Sequence, residues 1–500
     1  MLNFIDSYLN KITMYRLVLY FLMVLVIVAV VFSALGILAF KPLDLIFEVL
    51  ILLVICWAAN ETFSRVFKVP ANVESVYITA LILALIITPP AASGAGYFSS
   101  LMFLFWAAVW GMSVKYILAF RGKHFFNPAA FAVALTALTI NQSASWWVGT
   151  LSLLPLVILG GLLVTRKIQR FELVISFLLA AAVSIVAFSP SRSTPFVLIQ
   201  QILMHSPIIF FAFIMLTEPL TTPPRKSARI IYGALVGLLF GPNIHIGSFY
   251  STPEMALLAG NVFSYILSPK EKYMLSLKAI KEMGSDTYDF VFRANSRLSF
   301  KPGQYMEWTV GHKNPDSRGN RRYFTLASSP TEPDVHIGVK FYPEASSFKR
   351  TLIALKPESE VLAGQLSGDF TLPDDPKKKL VFLAGGIGIT PFRSMIKYLL
   401  DRNEKRNIVL FYSNRNQDEA SYREIFEQAE QRLGIKTVYI MTERDGHLTA
   451  KKITDEVGDY KERMFYISGS HGMVVAFEKN LKTLGIPGSQ IKIDFFPGFA

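Results

Sequence analysis

Apolar positions are distributed unevenly along the chain. Up to about residue 267 they run in long blocks, and beyond that they alternate with polar positions. Residues 17–40 form the clearest block, nearly free of charge and long enough to cross a bilayer core of roughly 30 Å. Further blocks lie near 44–60, 72–90, 97–120, 127–142, 146–165, 171–189, 195–217, 228–241 and 253–267. The pattern predicts about ten transmembrane spans. The loops between them differ in charge. With a cytoplasmic N-terminus, the inner loops hold Arg65 and Lys68, Arg121 and Lys123, Arg166, Lys167 and Arg170, then Arg225, Lys226 and Arg229. The outer loops hold only Lys41 and Arg192. Positive charge gathers on the cytoplasmic side of membrane proteins. Both termini are therefore expected in the cytoplasm, with the chain integral to the inner or cytoplasmic membrane and in contact with its lipid. No removable signal segment is expected, because no short apolar core with a small-residue cleavage site opens the chain.

The texture breaks at "LSPKEKY" (267–273). Short alternating runs follow, "YDFVFRA" (288–294), "GQYMEWTV" (303–310), "RRYFTLASSP" (321–330), "HIGVKFY" (336–342) and "GQLSGDFTLP" (364–373). They predict the strands of a small antiparallel barrel. From residue 378 the pattern changes again. The strand "KLVFLA" leads into the turn "GGIGITP" (385–391) and the helix "FRSMIKYLLDR". "IVLFYS" and "ASYREIFEQAEQRLG" repeat the alternation, and "TVYIM", "MFYIS" and "IKIDFF" add strands. Strand–helix alternation predicts an α/β domain with a parallel sheet. The expected order is a polytopic α-helical domain at 1–268, a β-barrel at 273–374 and an α/β domain at 378–500.

Composition sharpens this division. Of 500 residues, 52% are hydrophobic and 17% charged, too apolar for an ordinary soluble protein. Residues 1–270 hold 16 Lys+Arg and 8 Asp+Glu, and the remaining 230 hold 34 and 29. The net charge of +13 does not point to nucleic acid, since the basic residues of the first part lie between apolar blocks. The single cysteine, Cys56, excludes an internal disulfide, a Cys-ligated iron–sulfur cluster and a Cys zinc site. No metal site is expected.

The glycine-rich turn carries the first chemistry. Gly385, Gly386 and Gly388 let the backbone turn tightly after a strand. Thr390 is placed to cap the next helix and Pro391 to begin it. A helix N-terminus bared in this way suits a pyrophosphate. In "RRYFTLASSP", Arg322 can grip a phosphate, Phe324 offers a flat face and Thr325 a hydroxyl beside it. Barrel, Arg-Tyr-Phe-Thr and glycine turn, in this order, resemble the ferredoxin–NADP⁺ reductase family over about 273–500. The resemblance implies an FAD held through Arg322, Tyr323, Phe324 and Thr325, at the pyrophosphate, the isoalloxazine face and N5. It extends to the phosphate region through Ser346, Ser347 and Lys349 of "ASSFKRTL", and to Gly368 in the Gly-x-Phe closure. "FYISGSHGMVVAFEKNLKTLGI" matches the family's Cys-Gly-Pro segment, with Ser468 in place of Cys and Gly469 following. The resemblance gives Thr325, Ser468 and the aromatic Phe496 the roles nearest to hydride transfer. Asp418 and Glu419 lie between Arg415 and Arg423, so NADH is expected over NADPH, with Arg415 stacking on adenine.

The oily half carries a second resemblance. "HFFNPAAFAVAL" and "MLTEPLTTPPRKSARIIYGALVGLLFG" set Asn127-Pro128 and Glu218-Pro219 at span boundaries. These features read either as helix caps or as a cofactor pocket built from helix ends. Most of residues 70–241 resembles the flavin-binding membrane subunits of Rnf complexes and of the sodium-pumping NADH:quinone reductase. The resemblance makes Asn127 a candidate flavin contact. The family's Ser-Gly-Ala-Thr attachment motif is missing, so a non-covalent FMN or riboflavin is expected instead. Haem is disfavoured, because His124, His205 and His245 lie in three different segments and form no repeated pair. Glu48 and Glu218 are the charged groups read within the spans, both near their ends. The expected function is membrane-bound NADH oxidation, with electrons passing through FAD and a membrane flavin to quinone or an extracytosolic FMN-binding protein. The rival readings are a haem-type transmembrane ferric or oxygen reductase and a transporter regulated by a nucleotide-sensing tail.

Overall fold

The computed structural model describes Leu9 and residues 12–67, 73–91, 96–120, 123–189, 194–205, 207–241, 244–247, 249–267, 272–296, 298–312, 316 and 319–494. It divides the chain into two compact units, Met1–Glu271 and Lys272–Ala500.

In the first unit every apolar block contains a helix: α1 (Met14–Ala34), α2 (Pro42–Phe67), α3 (Val73–Ile86), α4 (Tyr97–Ile117), α5 (Pro128–Ile140), α6 (Leu154–Ile168), α7 (Phe171–Phe188), α8 (Pro195–His205), α9 (Lys226–Leu239) and α10 (Pro253–Leu267). Among the described residues only α1, α2, α4 and α7 are long and apolar enough to cross a membrane. A fifth span arises if Pro195–Met204 and Ile208–Met215, bent by 72°, count as one. The ten expected spans are therefore four or five by this measure. The reason is local. Proline and left-handed residues cut the blocks short: Asn141 ends α5 with φ 54 and Gln169 ends α6 with φ 54. That leaves helices of 13 to 15 residues, against about 20 for a perpendicular crossing.

Small residues let α7 and α9 pack closely. On α9, a Cβ at Gly237 would stand 2.9 Å from both Ala180 Cβ and the Ala181 nitrogen of α7, and one at Gly233 would stand 2.7 Å from the Leu173 carbonyl oxygen. Glycine four residues apart lets two helix backbones touch, as in membrane helix pairs generally. Gly237→Leu is accordingly expected to force α7 and α9 apart. The check is the detergent-solubilised melting temperature, which should fall by several degrees, whereas Leu238→Ala on the exposed face of α9 should leave it within a degree or two.

The second unit opens with β1 (Lys272–Gly284), β2 (Thr287–Ala294), β3 (Tyr305–Thr309), β4 (Arg321–Thr325), β5 (Val335–Lys340), the short helix α11 (Ser347–Ile353) and β6 (Glu360–Ser367). The six strands pair antiparallel in the order β4-β3-β6-β1-β2-β5. The sheet curls until the segment after β4 meets β5, where the Ala327 amide donates to the His336 carbonyl at 2.8 Å. Phe290, Phe292, Met306, Trp308, Ile337 and Phe348 fill the interior.

The chain continues through β7 (Leu380–Gly385), α12 (Thr390–Arg402), β8 (Ile408–Asn414), α13 (Arg423–Leu433), β9 (Lys436–Met441), the single turn α14 (Thr442–Asp445), α15 (Ala450–Glu456), β10 (Met464–Ser468), α16 (His471–Thr483) and β11 (Ile491–Asp494). The five strands run parallel in the order β9-β8-β7-β10-β11. Their side chains alternate between two cores. Leu380, Phe382 and Ala384 face α12 and α13, while Val381 and Leu383 face α15 and α16. The strand order reverses between β7 and β10, and ligands of such sheets bind at the carboxyl edge beside that switch point.

Candidate functional site

The carboxyl edge of the sheet carries two glycine loops. The first leaves β7 through Gly385 and Gly386, and the second leaves β10 through Ser468 and Gly469. They approach so closely that a Cβ at Gly388 would stand 2.5 Å from the Ser468 carbonyl oxygen and 2.7 Å from Gly469 Cα. Gly386 differs. Its φ is 51°, and nothing lies within 4 Å of where its Cβ would stand. It forms an open cradle at the N-terminal end of α12, of the kind a pyrophosphate needs. Pro391 stands in the first turn of α12, but Thr390 does not cap it. The helix starts at Thr390 itself with Ile389 as cap residue, and the Thr390 hydroxyl donates to the Ile387 carbonyl at 3.2 Å. The preceding tight turn of Gly386–Ile389 already supplies the bend that a cap would have made.

Three strands bring a polar trio together beside these loops. The Thr325 hydroxyl at the end of β4 donates to Asp494 Oδ2 at 3.4 Å, and the Ser468 hydroxyl at the end of β10 donates to the same oxygen at 3.3 Å. All three side chains are buried. Burial pushes the Asp494 carboxyl up to about 7, and the two hydroxyl donors pull only partly the other way. Sequence reasoning placed Thr325 and Ser468 but missed Asp494. Its signal was a carboxylate closing the strand "IKID" ahead of the terminal aromatics. Phe496 lies outside the described residues.

The rest of the Arg-Tyr-Phe-Thr stretch is split by strand alternation. Tyr323 shares the Thr325 face, and its hydroxyl donates to Glu307 at 2.9 Å. Arg322 and Phe324 share the other face. The Arg322 guanidinium lies 5.2 Å over the Phe348 ring and donates to the Arg321 carbonyl at 2.6 Å, and Phe324 packs 5.9 Å from the same ring. Around α11, the Ser346 side chain accepts from the Lys349 amide at 3.3 Å as its cap. Ser347 bonds His312 at 3.0 Å and the Asp316 amide at 2.9 Å, and the Lys349 ammonium donates to the Lys340 carbonyl at 2.8 Å. Gly368 has φ 117, and its carbonyl accepts from Gln304 at 3.3 Å. Arg415, at the exit of β8, is ion-paired with Glu443 at 2.8 Å.

Barrel and sheet are joined by further polar contacts. Asp289 of β2 accepts from the Tyr422 hydroxyl at 2.9 Å and lies 2.7 Å from His336 Nδ1. Arg393 of α12 donates to the Ala327 carbonyl and to Glu332 Oε1, both at 2.9 Å. These bonds keep Thr325 of the barrel opposite Ser468 of the sheet.

In the other unit, Asn127 Oδ1 accepts from the Ala130 amide at 3.0 Å, capping α5. Its Nδ2 donates to Glu218 at 2.8 Å, and its backbone amide donates to Asn261 at 2.8 Å. The amide thus caps α5 and ties its start to Glu218. Charged groups in the apolar helices also extend beyond Glu48 and Glu218. Lys115 is half-buried on α4 and donates to the Ser75 hydroxyl and carbonyl and to Thr79, at 2.9 to 3.0 Å. Buried Glu254 accepts from the Trp146 indole at 3.2 Å. Both were passed over in the sequence because single charges in apolar runs look like helix ends.

Two family models match the chain. Residues 137–270 match the NQR2, RnfD, RnfE family, and residues 382–479 match the oxidoreductase NAD-binding domain. The chain joins the two. Flavohemoprotein A of Dictyostelium discoideum is 25% identical over 229 residues, covering 43% of this chain and 58% of that protein. The glycine betaine monooxygenase reductase subunit of Pseudomonas aeruginosa is 30% identical over 173 residues, covering 34% and 46%. The chain thus spans about half the length of these relatives. Among solved structures, the FAD/NAD-binding domain of a Vibrio cholerae nitric oxide dioxygenase aligns with TM-score 0.40 and 19% identity, covering 45% of this chain and 98% of that one. The match over 382–479 and the NAD(P)H oxidoreductases among the relatives support an NAD(P)H-dependent flavin oxidoreductase domain in the soluble unit. With its NQR2/RnfD-type segment and apolar helices, the protein is an integral membrane protein.

Proposed function

We propose that the protein oxidises NADH in its soluble unit and passes the electrons, through FAD, into its membrane unit, toward quinone or an extracytosolic FMN-binding protein. The observation that carries this reading is the meeting of Thr325, Ser468 and Asp494 beside the two glycine loops. Gly386 and the start of α12 receive the dinucleotide pyrophosphate. Ser468 and Thr325 orient the nicotinamide end through their hydroxyls, and the Asp494 carboxyl, which meets both hydroxyls, is placed to exchange a proton with them. FAD would be held at β4 by the buried Arg322 guanidinium from one face of the strand and by the Thr325 hydroxyl from the other. When bound, it supplies the conversion of a two-electron hydride donor into single electrons.

The membrane carrier in this reading is a non-covalent FMN or riboflavin. The NQR2/RnfD-type match and the single cysteine support it, since a Cys-ligated cluster has no ligands here. Its contacts are not assigned to Asn127, whose amide is engaged by α5 and Glu218. Cytoplasmic termini follow from the basic inner loops and bring the soluble unit to its nucleotide.

Stopped-flow mixing of the purified protein with NADH tests the reading. A bleached flavin absorbance within seconds is expected, and a flavin that NADH never bleaches would refute it. Flavin extraction extends the test to the membrane unit. Asn127→Ala should melt lower by the loss of a cap, about 1 kcal/mol, while keeping the parent's flavin count. Loss of one flavin would return Asn127 to a ligand role.

A further inference from the structure

The nicotinamide end of the dinucleotide must reach Ser468 at the exit of β10, on one side of β7. The adenosine end therefore runs the other way, over the exits of β8 and β9. Two arginines crowd that edge, and a third opens the adjoining helix α13. Each has its own carboxylate: Arg415 with Glu443 at 2.8 Å, Arg444 with Asp445 at 2.8 Å, and Arg423 with Glu427 at 3.6 Å. Glu443 is held to Arg415 twice, because its backbone amide also donates to the Arg415 carbonyl at 3.1 Å. The turn that carries it is fixed in turn by the Met441 amide, which donates to Asp445 at 3.0 Å.

We propose that Glu443 is a specificity-determining residue that makes this edge select NADH over NADPH, by occupying the Arg415 guanidinium and setting a negative charge where a 2′-phosphate would bind. The proposal rests on the reading of the soluble unit as an NADH oxidase of bound flavin. A 2′-phosphate brings close to two negative charges and needs an uncommitted guanidinium to receive them. Here it meets Arg415 already paired, with the Glu443 carboxylate alongside and Asp418 exposed a few residues on. A ribose 2′-hydroxyl meets no such repulsion, and it can donate to the same carboxylate. The ion pair itself is exposed and adds little to stability. Its effect is on which nucleotide is admitted.

The test uses the full-length protein in detergent with its bound flavin, reduced by NADH or NADPH in stopped flow at low ionic strength. Glu443→Gln is expected to raise the second-order rate of flavin reduction by NADPH about tenfold, with the NADH rate changing less than threefold. Adding Arg415→Ala to that variant should remove the gain. Glu478→Gln, whose carboxylate pairs with Lys482 on α16, should change neither rate. A gain under threefold in Glu443→Gln overturns the proposal, and so does a gain that survives loss of Arg415. A parent flavin that NADH bleaches while Glu443→Gln leaves the ratio unmoved sinks this inference alone. A parent flavin that neither nucleotide bleaches sinks the NADH-oxidising reading together with it.

Discussion

Gly388→Ala is expected to lower NADH-driven flavin reduction at least a hundredfold. The added methyl would stand 2.5 Å from the Ser468 carbonyl oxygen, 2.6 Å from the Ser468 carbonyl carbon and 2.7 Å from Gly469 Cα. All three are backbone atoms at the exit of β10. They cannot swing aside like the end of a side chain, because Ser468 is held in register with Ala384 of β7 and Asp494 of β11. One of the two loops must therefore move by close to an ångström. The shift falls on Ser468, which shares Asp494 with Thr325. Displacements of this size at a reacting centre cost about 10²-fold in rate. Gly434→Ala, just past the end of α13 and away from the two loops, separates this effect from general damage. That position has φ 72 and nothing within 4 Å of the added methyl, so alanine there carries backbone strain of about 1–2 kcal/mol but displaces no neighbour. Rapid-mixing rates and melting curves of both variants provide the check. A Gly388→Ala protein reduced within threefold of the parent rate would show that the loops are not positioned by this contact.

Legibility in the sequence followed the range of the forces involved. The two-unit division and the change from barrel strands to strand–helix alternation were readable, because hydrophobic period is a local property of the chain. The glycine loop was readable because "GGIGITP" states its own backbone demand. The span count was not. A block such as 127–142 is apolar throughout, but Pro128 and the left-handed Asn141 confine its helix to 13 residues. Periodicity sees the apolar block and not the helix length inside it. The split of Arg322 and Phe324 from Thr325 was implicit in strand alternation, yet which face looks inward is decided by Phe348, which lies 24 residues beyond Phe324. Asp494 is the sharpest case. It lies 169 positions from Thr325 and 26 from Ser468, and only the parallel pairing of β10 with β11 brings the carboxylate to both hydroxyls. Asn127 shows the opposite situation: capping was legible as one of two readings, and its partners Glu218 and Asn261, 91 and 134 positions away, came only with the fold.

Asp494→Asn is expected to remove a pH dependence of both stability and turnover. In the folded protein the Asp494 carboxyl stands at about 7, because burial penalises its charged form more than the two hydroxyl donors relieve it. In the unfolded chain it returns to the ordinary value near 3.9. Between these two values the folded state holds the proton more tightly than the unfolded state. Stability must then fall as pH rises from about 4 to about 7, and level off above. At about 1.4 kcal/mol per pH unit, the full span of roughly three units sets an upper bound near 4 kcal/mol. Asparagine keeps the shape and can still accept from Thr325 and Ser468, but it carries no titrating proton. The variant should match the parent's melting temperature near pH 4 and exceed it increasingly toward pH 8. Turnover gives an independent readout. If Asp494 relays a proton to and from the two hydroxyls, the parent's flavin-reduction rate should bend near pH 7, while the asparagine variant should be slower and flat there. Melting curves that stay parallel from pH 4 to pH 8 would show that the carboxyl titrates near its ordinary value. A bend near pH 7 that persists in the variant would assign the proton to another group.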